Sequence, residues 1–77
     1  MSVLLVEDDA ELCSMLGELL TDEGYDVDAV RDGQAGLHRA LIRPHALMIV
    51  DRRLPAIDGV DLLARLRSRG LTTPVLM

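Results

Sequence analysis

Three carboxylates directly follow two strongly apolar segments of the sequence. Glu7 and Asp8 follow "SVLLV", Ser2 to Val6, and Asp51 follows "ALMIV", Ala46 to Val50. Each apolar run has the length and composition of a buried parallel strand. In an open α/β sheet, ligands bind beyond the carboxyl ends of the strands. We therefore expect Glu7, Asp8 and Asp51 to converge at one edge of a sheet.

Carboxylates gathered this closely repel one another. At a separation of roughly 4 Å and an effective dielectric constant of about 20, each like-charge pair is unfavourable by about 4 kcal/mol. The cluster is stable only if one carboxyl group is protonated or a hard cation binds, and oxygen ligands without a neighbouring His or Cys favour Mg²⁺. Singly, Asp8 is more often a helix cap and Asp51 a turn residue. Together, with "LP" and "DG" after Asp51, they indicate a functional site.

Three segments have the apolar periodicity of amphipathic helices. They are Asp9 to Glu23, Gln34 to Arg43, and the stretch from Gly59 to about Arg69. Asp8 or Asp9 caps the first helix, and Gly24 ends it. The predicted inward positions are Leu12, Met15, Leu16, Leu19 and Leu20 in the first helix, Leu37, Ala40 and Leu41 in the second, and Val60, Leu63 and Leu62 or Leu66 in the third.

The segments before, between and after these helices have the composition of strands. They are Ser2 to Val6, Tyr25 to Val30, Ala46 to Val50 and Thr73 to Met77. Strands that alternate with helices are joined by right-handed crossovers into a parallel sheet with helices on both faces. The sequence therefore predicts an α/β fold in the order β-α-β-α-β-α-β.

Charge is unevenly distributed along the 77 residues, whose net charge is -5. Residues 1–30 contain nine acids and no base, whereas residues 31–77 contain eight arginines and four acids, and the chain has no lysine. Because DNA is held through its phosphates by basic surfaces, this composition argues against direct DNA binding.

The single cysteine and the first apolar run indicate the cellular compartment in which the protein is expected. Cys13 alone excludes an internal disulfide or a cysteine-based zinc site, and we expect it to be a half-buried thiol. Acids interrupt the apolar run after Val6, so we expect no secretory signal there, and no segment approaches the length of a transmembrane helix. We expect a cytoplasmic protein without membrane contact.

The remaining polar residues give weaker signals. His38 and His45 belong to the second helix and the loop after it, and nothing in the sequence brings them near the acids, so we expect both in solvent. Arg52 is expected in solvent as well. Three arginines surround the end of the third helix, where cations interact favourably with the helix dipole. They are Arg65, Arg67 and Arg69, and we expect a solvated face there.

The motifs "VEDD", "VDRRLPAIDG" and "TPVLM", at these separations, resemble the receiver domain of bacterial two-component response regulators. The stretches "VEDDAEL" and "GYDVDAVRDG" resemble the subgroup whose receivers carry a winged-helix DNA-binding domain. The resemblance implies a flavodoxin-like parallel sheet. In that sheet the second predicted strand lies at one edge and is followed by the first, third and fourth.

The resemblance also implies residue roles. Asp51 matches the phosphoacceptor, which takes a phosphoryl group from the phosphohistidine of a sensor histidine kinase. Asp8 matches the direct Mg²⁺ ligand, Glu7 the acid that holds metal-bound water, and Arg53 the residue whose main-chain carbonyl binds the metal. The chain would then be a phosphoprotein of a phosphorelay rather than an enzyme, with at most self-phosphorylation and self-dephosphorylation. Its output, expected to be transcription, would use an effector domain outside these residues.

The chain departs from the family pattern at its end. The family's switch Ser/Thr is expected shortly past Met77 and its phosphate-contacting lysine after a fifth strand. We therefore interpret residues 1–77 as a partial receiver without the fourth helix, fifth strand and fifth helix. Weak Mg²⁺ binding and little stable phosphorylation are expected from these residues alone. The fourth strand would be an unpaired edge, and we expect a homodimer or a domain swap through it.

Two other functions stay open. A non-phosphorylated interaction or dimerisation module would keep the fold without the chemistry, and the absence of the lysine and the switch Ser/Thr from residues 1–77 favours it. A haloacid-dehalogenase-like phosphatase also uses an aspartate nucleophile after a strand. That mechanism typically has a second aspartate two residues later, where this chain has Arg53.

Overall fold

Four parallel strands form one sheet. The computed structural model describes residues 1–77, and the strands are β1 (Ser2–Val6), β2 (Asp26–Val30), β3 (Leu47–Val50) and β4 (Val75–Leu76). Neighbouring strands are hydrogen-bonded in the order β2-β1-β3-β4, and every pair is parallel. The predicted alternation and strand order are confirmed. β4 is shorter than predicted; at its start Pro74 accepts a hydrogen bond from the Met48 N–H at 2.9 Å but has no N–H to donate to the ladder.

An aspartate begins each of the three helices, which are α1 (Ala10–Asp22), α2 (Gly33–Ile42) and α3 (Gly59–Ser68). The carboxylates of Asp9, Asp32 and Asp58 each accept a hydrogen bond from a backbone N–H in the first turn. These bonds satisfy donors that the start of a helix leaves free. Because Asp9 is the cap of α1, the side chain of Asp8 is not needed for capping.

The helices end by two different means. Gly24 and Gly70 follow α1 and α3 with φ of 95° and 81°, a left-handed conformation that glycine adopts without a steric penalty. After α2, Arg43 is extended and Pro44 cannot continue a helix. The sequence therefore marks all three ends correctly. None of the helices has both the length and the apolar character needed to cross a lipid bilayer.

The hydrophobic core lies between the sheet and the face covered by α2 and α3. Its buried members are Leu4, Val6, Val30, Ala40, Met48, Val50, Ile57, Leu62 and Leu66. Val60 was predicted to point inward, and that prediction is wrong, since Val60 is 51% exposed. It precedes Leu62 by two positions, a rotation of about 200° around the helix, which turns it away from the sheet.

α1 covers the opposite face of the sheet. Cys13 lies beside Val27 and Ala29, which alternate along β2 with the core residue Val30. Because successive side chains of a strand point to opposite faces, α1 and the α2–α3 pair lie on opposite sides of the sheet. Cys13 is only 7% exposed, so this thiol is buried rather than half-buried as predicted.

Part of the apolar stripe predicted for α1 faces solvent. Leu16 and Leu20 are half-buried, so those predictions are confirmed in part. The other predicted inward residues of α1 are exposed, and so is one from α2: Leu12 (37%), Met15 (52%), Leu19 (56%) and Leu41 (38%). The apolar arc of α1 is wider than the strip of helix that touches the sheet, so only the side near Cys13 is covered.

Candidate metal centre

The acids that follow β1 and β3 lie side by side. Val6 and Val50 are partners in the parallel register of these two adjacent strands, so Glu7 and Asp51 leave the sheet at the same level. Carboxylate oxygens of Glu7, Asp8 and Asp51 all lie within 4.8 Å of one another. These three residues, hereafter the acid cluster, come together at the carboxyl end of the sheet, where the sequence predicts that they meet.

Backbone hydrogen bonds hold two members of the acid cluster in place. The Glu7 N–H donates to the Val30 carbonyl at 3.1 Å, and the Asp51 N–H donates to the Val6 carbonyl at 2.9 Å. Both bonds extend the sheet by one residue beyond its strands. Glu7 and Asp51 therefore take their positions from the sheet, which is more rigid than a loop.

The three carboxylates differ in exposure. Glu7 is 7% exposed, Asp51 is half-buried and Asp8 is exposed. Burial raises the pKa of Glu7 above its ordinary value of 4.5, and the neighbouring Asp51 raises it further, although the hydrogen bond from the Asp9 N–H opposes the change. Glu7 is therefore the acid whose negative charge most needs compensation.

The donor atoms of the acid cluster suit a hard divalent cation. All are carboxylate oxygens, with no His or Cys among them. Mg²⁺ prefers oxygen ligands and is usually held by one or two carboxylates while it keeps several waters. Asp8 is exposed and lines an open cleft, which leaves room for those waters. The acid cluster fits Mg²⁺.

The open cleft beside the acid cluster has a volume of about 650 Å³. It is lined by Asp8, by residues 52–55 and by Asp58 and Val60. Arg52 is exposed, as predicted. The Arg53 N–H donates to Asp51 Oδ1 at 3.2 Å, so the backbone of residue 53 lies against this carboxylate.

Gly59 allows a close approach of two backbone segments at this site. Its N–H donates to the Arg52 carbonyl at 2.9 Å. A Cβ at position 59 would lie 2.4 Å from the Asp51 carbonyl oxygen and 2.9 Å from Arg52 Cα. Both distances are shorter than a non-bonded contact allows, so any residue other than glycine would push the two backbone segments apart. The glycine of the "DG" pair, Asp58–Gly59, therefore lies directly against the backbone of Asp51, a member of the acid cluster.

One of the two predicted solvent histidines is buried. His38 is exposed, as expected, but the His45 side chain is only 2% exposed and its Nε2 lies 3.0 Å from Asp28 Oδ2. Arg39 and Arg43 pair with the same carboxylate. Burial opposes ionisation of Asp28, but the hydrogen bond with His45 and the charges of the two arginines outweigh it and lower the pKa of Asp28 below 3.8. Sequence reasoning missed this pair because 17 residues separate its members.

Curated relatives match the whole chain. The chain is 42% identical over 77 residues to the transcriptional regulatory protein TctD of Salmonella typhimurium, and the match covers 100% of this chain and 34% of TctD. The chain therefore spans about a third of the length of this relative.

Solved structures share the fold. The receiver domain of the Francisella response regulator 1452 superimposes with a TM-score of 0.94 at 27% identity, over 96% of this chain and 61% of that one. The response regulator TrrA of Thermotoga maritima, solved in complex with Mg(2+)-BeF, gives a TM-score of 0.84 at 28% identity, over 88% of this chain and 59% of that one. The family description "Response regulator receiver domain" matches residues 3–77. This chain belongs to the response regulator receiver domain family.

Proposed function

We propose that the chain is a phospho-accepting receiver of a two-component system, in which Asp51 takes a phosphoryl group from a sensor histidine kinase. The observation that carries this proposal is the acid cluster, whose carboxylate oxygens lie within 4.8 Å of one another in a chain of the receiver family. None of the ion pairs in the structure involves these three carboxylates. No arginine or histidine side chain therefore offsets their mutual repulsion, which a bound cation or protonation of one carboxyl group would relieve.

The transfer requires little covalent chemistry from the protein. An Asp51 carboxylate oxygen attacks phosphorus in line with the P–N bond of the kinase phosphohistidine. An O–P bond forms to give an acyl phosphate, the P–N bond breaks, and its electron pair stays on the imidazole nitrogen. Positioning and neutralisation of charge supply the catalysis in such reactions. The hydrogen bond from the Asp51 N–H to Val6 provides the positioning.

Four residues are assigned to the metal. Asp8 and Asp51 would be direct carboxylate ligands of Mg²⁺, Glu7 would hold a metal-bound water, and the main-chain carbonyl of Arg53 would be a further ligand. When bound, Mg²⁺ supplies positive charge that offsets the repulsion among the acids and the charge of the phosphoryl oxygens. The complex of TrrA with Mg(2+)-BeF supports this assignment by similarity.

Transcription is the proposed output. TctD is a transcriptional regulatory protein, and this chain matches about a third of its length. Residues 1–77 carry a net charge of -5, so DNA contacts would be made by an effector domain outside them. The site of action would be the cytoplasm. The chain would not be a conventional enzyme, because Asp51 itself accepts the group.

Self-association through β4 is a further part of the proposal. β4 is hydrogen-bonded to β3 on one side only, and Leu76 and Met77 are 60% and 49% exposed. A strand edge with unpaired N–H and C=O groups and apolar side chains is a template for another chain. The expected partner is a second copy, as a homodimer or by exchange of an element.

The phosphoacceptor is tested with Mg²⁺ and either beryllofluoride, read by fluorine NMR, or acetyl phosphate, read by mass. Two chains are compared: residues 1–77, and a chimaera in which they precede the segment of TctD that follows the matched region. Each is paired with an Asp51→Asn control. We expect a weak response from residues 1–77, a clear adduct on the chimaera, and none on either Asp51→Asn chain.

Two outcomes would contradict the proposal. An adduct that survives Asp51→Asn would place the modification elsewhere. A folded chimaera without any adduct would favour the non-phosphorylated interaction module, because the added TctD segment would not have supplied the chemistry.

A further inference from the structure

Gly33, the first residue of α2, touches the tip of the loop that joins β3 to α3. Its N–H donates to the Pro55 carbonyl at 3.1 Å. A Cβ at position 33 would lie 1.8 Å from the Ile57 carbonyl oxygen and 2.8 Å from Ile57 Cβ. Non-bonded heavy atoms do not come this close, so the loop occupies the space that any side chain at position 33 would need.

The loop tip has an uncommon backbone conformation. Ala56 has a φ of 70°, and the Ile57 N–H donates to the Pro55 carbonyl at 2.8 Å, which is a γ-turn with a positive central φ. A residue with a side chain keeps such a conformation only where its surroundings hold it. Here the surroundings are the contact with Gly33 and the side chain of Ile57, which is 5% exposed in the core.

The start of α2, which contacts this loop, is itself packed against the sheet. Gly36, one turn after Gly33, lies against the Val6 side chain, since a Cβ at position 36 would lie 3.1 Å from both Val6 methyl groups. Val6 is the last residue of β1, directly before Glu7. The first turn of α2 is therefore held against the strand that carries two members of the acid cluster.

The same loop contains the main-chain carbonyl of Arg53, which is proposed above as a Mg²⁺ ligand. At its base, the Gly59 N–H bonds to the Arg52 carbonyl and the Arg53 N–H bonds to Asp51 Oδ1. Its tip is held by Gly33 through Pro55. A shift of the tip is therefore accommodated by the two short stretches that join it to this base, residues 53–54 on one side and residue 58 on the other. The first of these stretches contains the Arg53 carbonyl.

We propose that Gly33 is a positioning residue for the acid cluster. By letting the turn at Pro55–Ile57 lie against α2, it sets where the Arg53 carbonyl stands relative to Asp51. This inference rests on the proposed role of the Arg53 carbonyl as a Mg²⁺ ligand. Gly33 itself touches neither the metal nor the phosphoryl group.

The test compares Mg²⁺ binding by Gly33→Ala and Gly17→Ala in the 77-residue chain, by NMR titration well below the unfolding temperature. Gly17 lies in α1, and a Cβ added there would have no atom within 4 Å, so it is the matched glycine-to-alanine control. We expect Gly33→Ala to weaken Mg²⁺ binding roughly tenfold, as loss of supporting contacts around a metal site does, and Gly17→Ala to leave it unchanged. Adding Ala56→Gly to Gly33→Ala should recover part of the loss, because glycine at the tip lets the turn rearrange.

A measurement on the unsubstituted chain covers the case in which Gly33→Ala does not fold. If Gly33 positions the metal ligand, Mg²⁺ must in turn stabilise the Gly33 contact, because coupling between sites is reciprocal. The Gly33 amide should then shift and exchange more slowly with the same Mg²⁺ midpoint as the amides of Asp8 and Asp51.

Three results would overturn the inference. They are wild-type Mg²⁺ affinity in a folded Gly33→Ala chain, a Gly33 amide that ignores Mg²⁺ while those of Asp8 and Asp51 respond, and a chain in which no amide responds. An adduct at Asp51 of the TctD chimaera would show in each case that the proposed function survives without the inference.

Discussion

The His45 imidazole donates from Nε2 to the Asp28 carboxylate at 3.0 Å, just before β3 begins, whereas Asp51 follows the opposite end of that strand. The His45 and Asp28 side chains are 2% and 10% exposed. Because a carboxylate only accepts hydrogen bonds, the shared proton lies on the imidazole. This pair, joined by Arg39 and Arg43, ties β2 to the end of α2. The chain thus has a charged cluster for stability on the edge strand β2, around Asp28, and an acid cluster at the carboxyl end of the sheet.

Asp28→Asn should destabilise the chain by about 2 kcal/mol at pH 7, because it leaves His45 and two arginines without their anion; solvent around the arginines limits the loss. The lowered pKa of Asp28 determines how the difference in stability between the two chains depends on pH. Its contribution is complete above pH 3.8 and is lost as pH falls through the lowered pKa, so the two chains should converge in strong acid. Urea unfolding from pH 7 to pH 2 measures this difference.

Asp61→Asn is the matched control for Asp28→Asn. Asp61 pairs with Arg65 within α3, and both side chains are 52% exposed. Exposed pairs of this kind contribute roughly 0.5 kcal/mol or less. If the two substitutions lowered the free energy of unfolding equally, the result would contradict the larger contribution assigned to the pair of Asp28 and His45.

Glu7→Gln should stabilise the metal-free chain at neutral pH and weaken Mg²⁺ binding. The raised pKa of Glu7 means that its protonated form favours the folded state below pH 4.5, and that this benefit is lost as pH rises through the raised pKa. Glutamine stays neutral and can still accept from the Asp9 N–H. The advantage of Glu7→Gln over the unsubstituted chain, measured by unfolding in EDTA, should therefore grow with pH. A variant that is less stable at every pH would count against the repulsion within the acid cluster.

Mg²⁺ should raise the unfolding midpoint of the chain. A ligand that binds only the folded state stabilises it by about 2.7 kcal/mol at a concentration of roughly 100 times its dissociation constant. Asp8→Asn should abolish the increase, whereas Asp26→Asn, an exposed acid on β2, should retain it. A similar response in both variants would point to general screening of the acidic surface instead of one site.

Gly59→Ala and Gly17→Ala should have opposite effects on stability. The Cβ at position 59 would meet the Asp51 carbonyl oxygen at 2.4 Å, and the forced backbone shift should cost about 2 kcal/mol. Position 17 has open space in a helix, where alanine is favoured over glycine by about 1 kcal/mol. Thermal unfolding of the pair checks the sign of each change. Stabilisation by Gly59→Ala would refute the close approach.

Sedimentation should reveal association of the chain at micromolar concentration. Leu76→Lys places a charge on β4, a device by which natural sheets protect their edges, and should shift the population toward monomer. A folded monomer in the unsubstituted chain would refute pairing through β4.

Much of this architecture follows from local patterns in the sequence. Apolar runs and their periods establish the alternation of strands and helices, and aspartates and glycines mark where helices begin and end. Because parallel strands present their carboxyl ends at one edge, acids after "SVLLV" and "ALMIV" had to meet if these strands were neighbours. Glu7, Asp8 and Asp51 could therefore be identified as candidate site residues from the sequence alone.

Tertiary structure alone decided which side of each helix is buried and which distant residues touch. The period of α1 shows which residues share a face, but its rotation against the sheet depends on packing, so Leu19 is exposed while Cys13 is buried. The pairing of Asp28 with His45 and the contact of Gly33 with Pro55 join segments that are far apart along the chain. No local pattern specifies such contacts, because they form only once the strands and helices have been brought together.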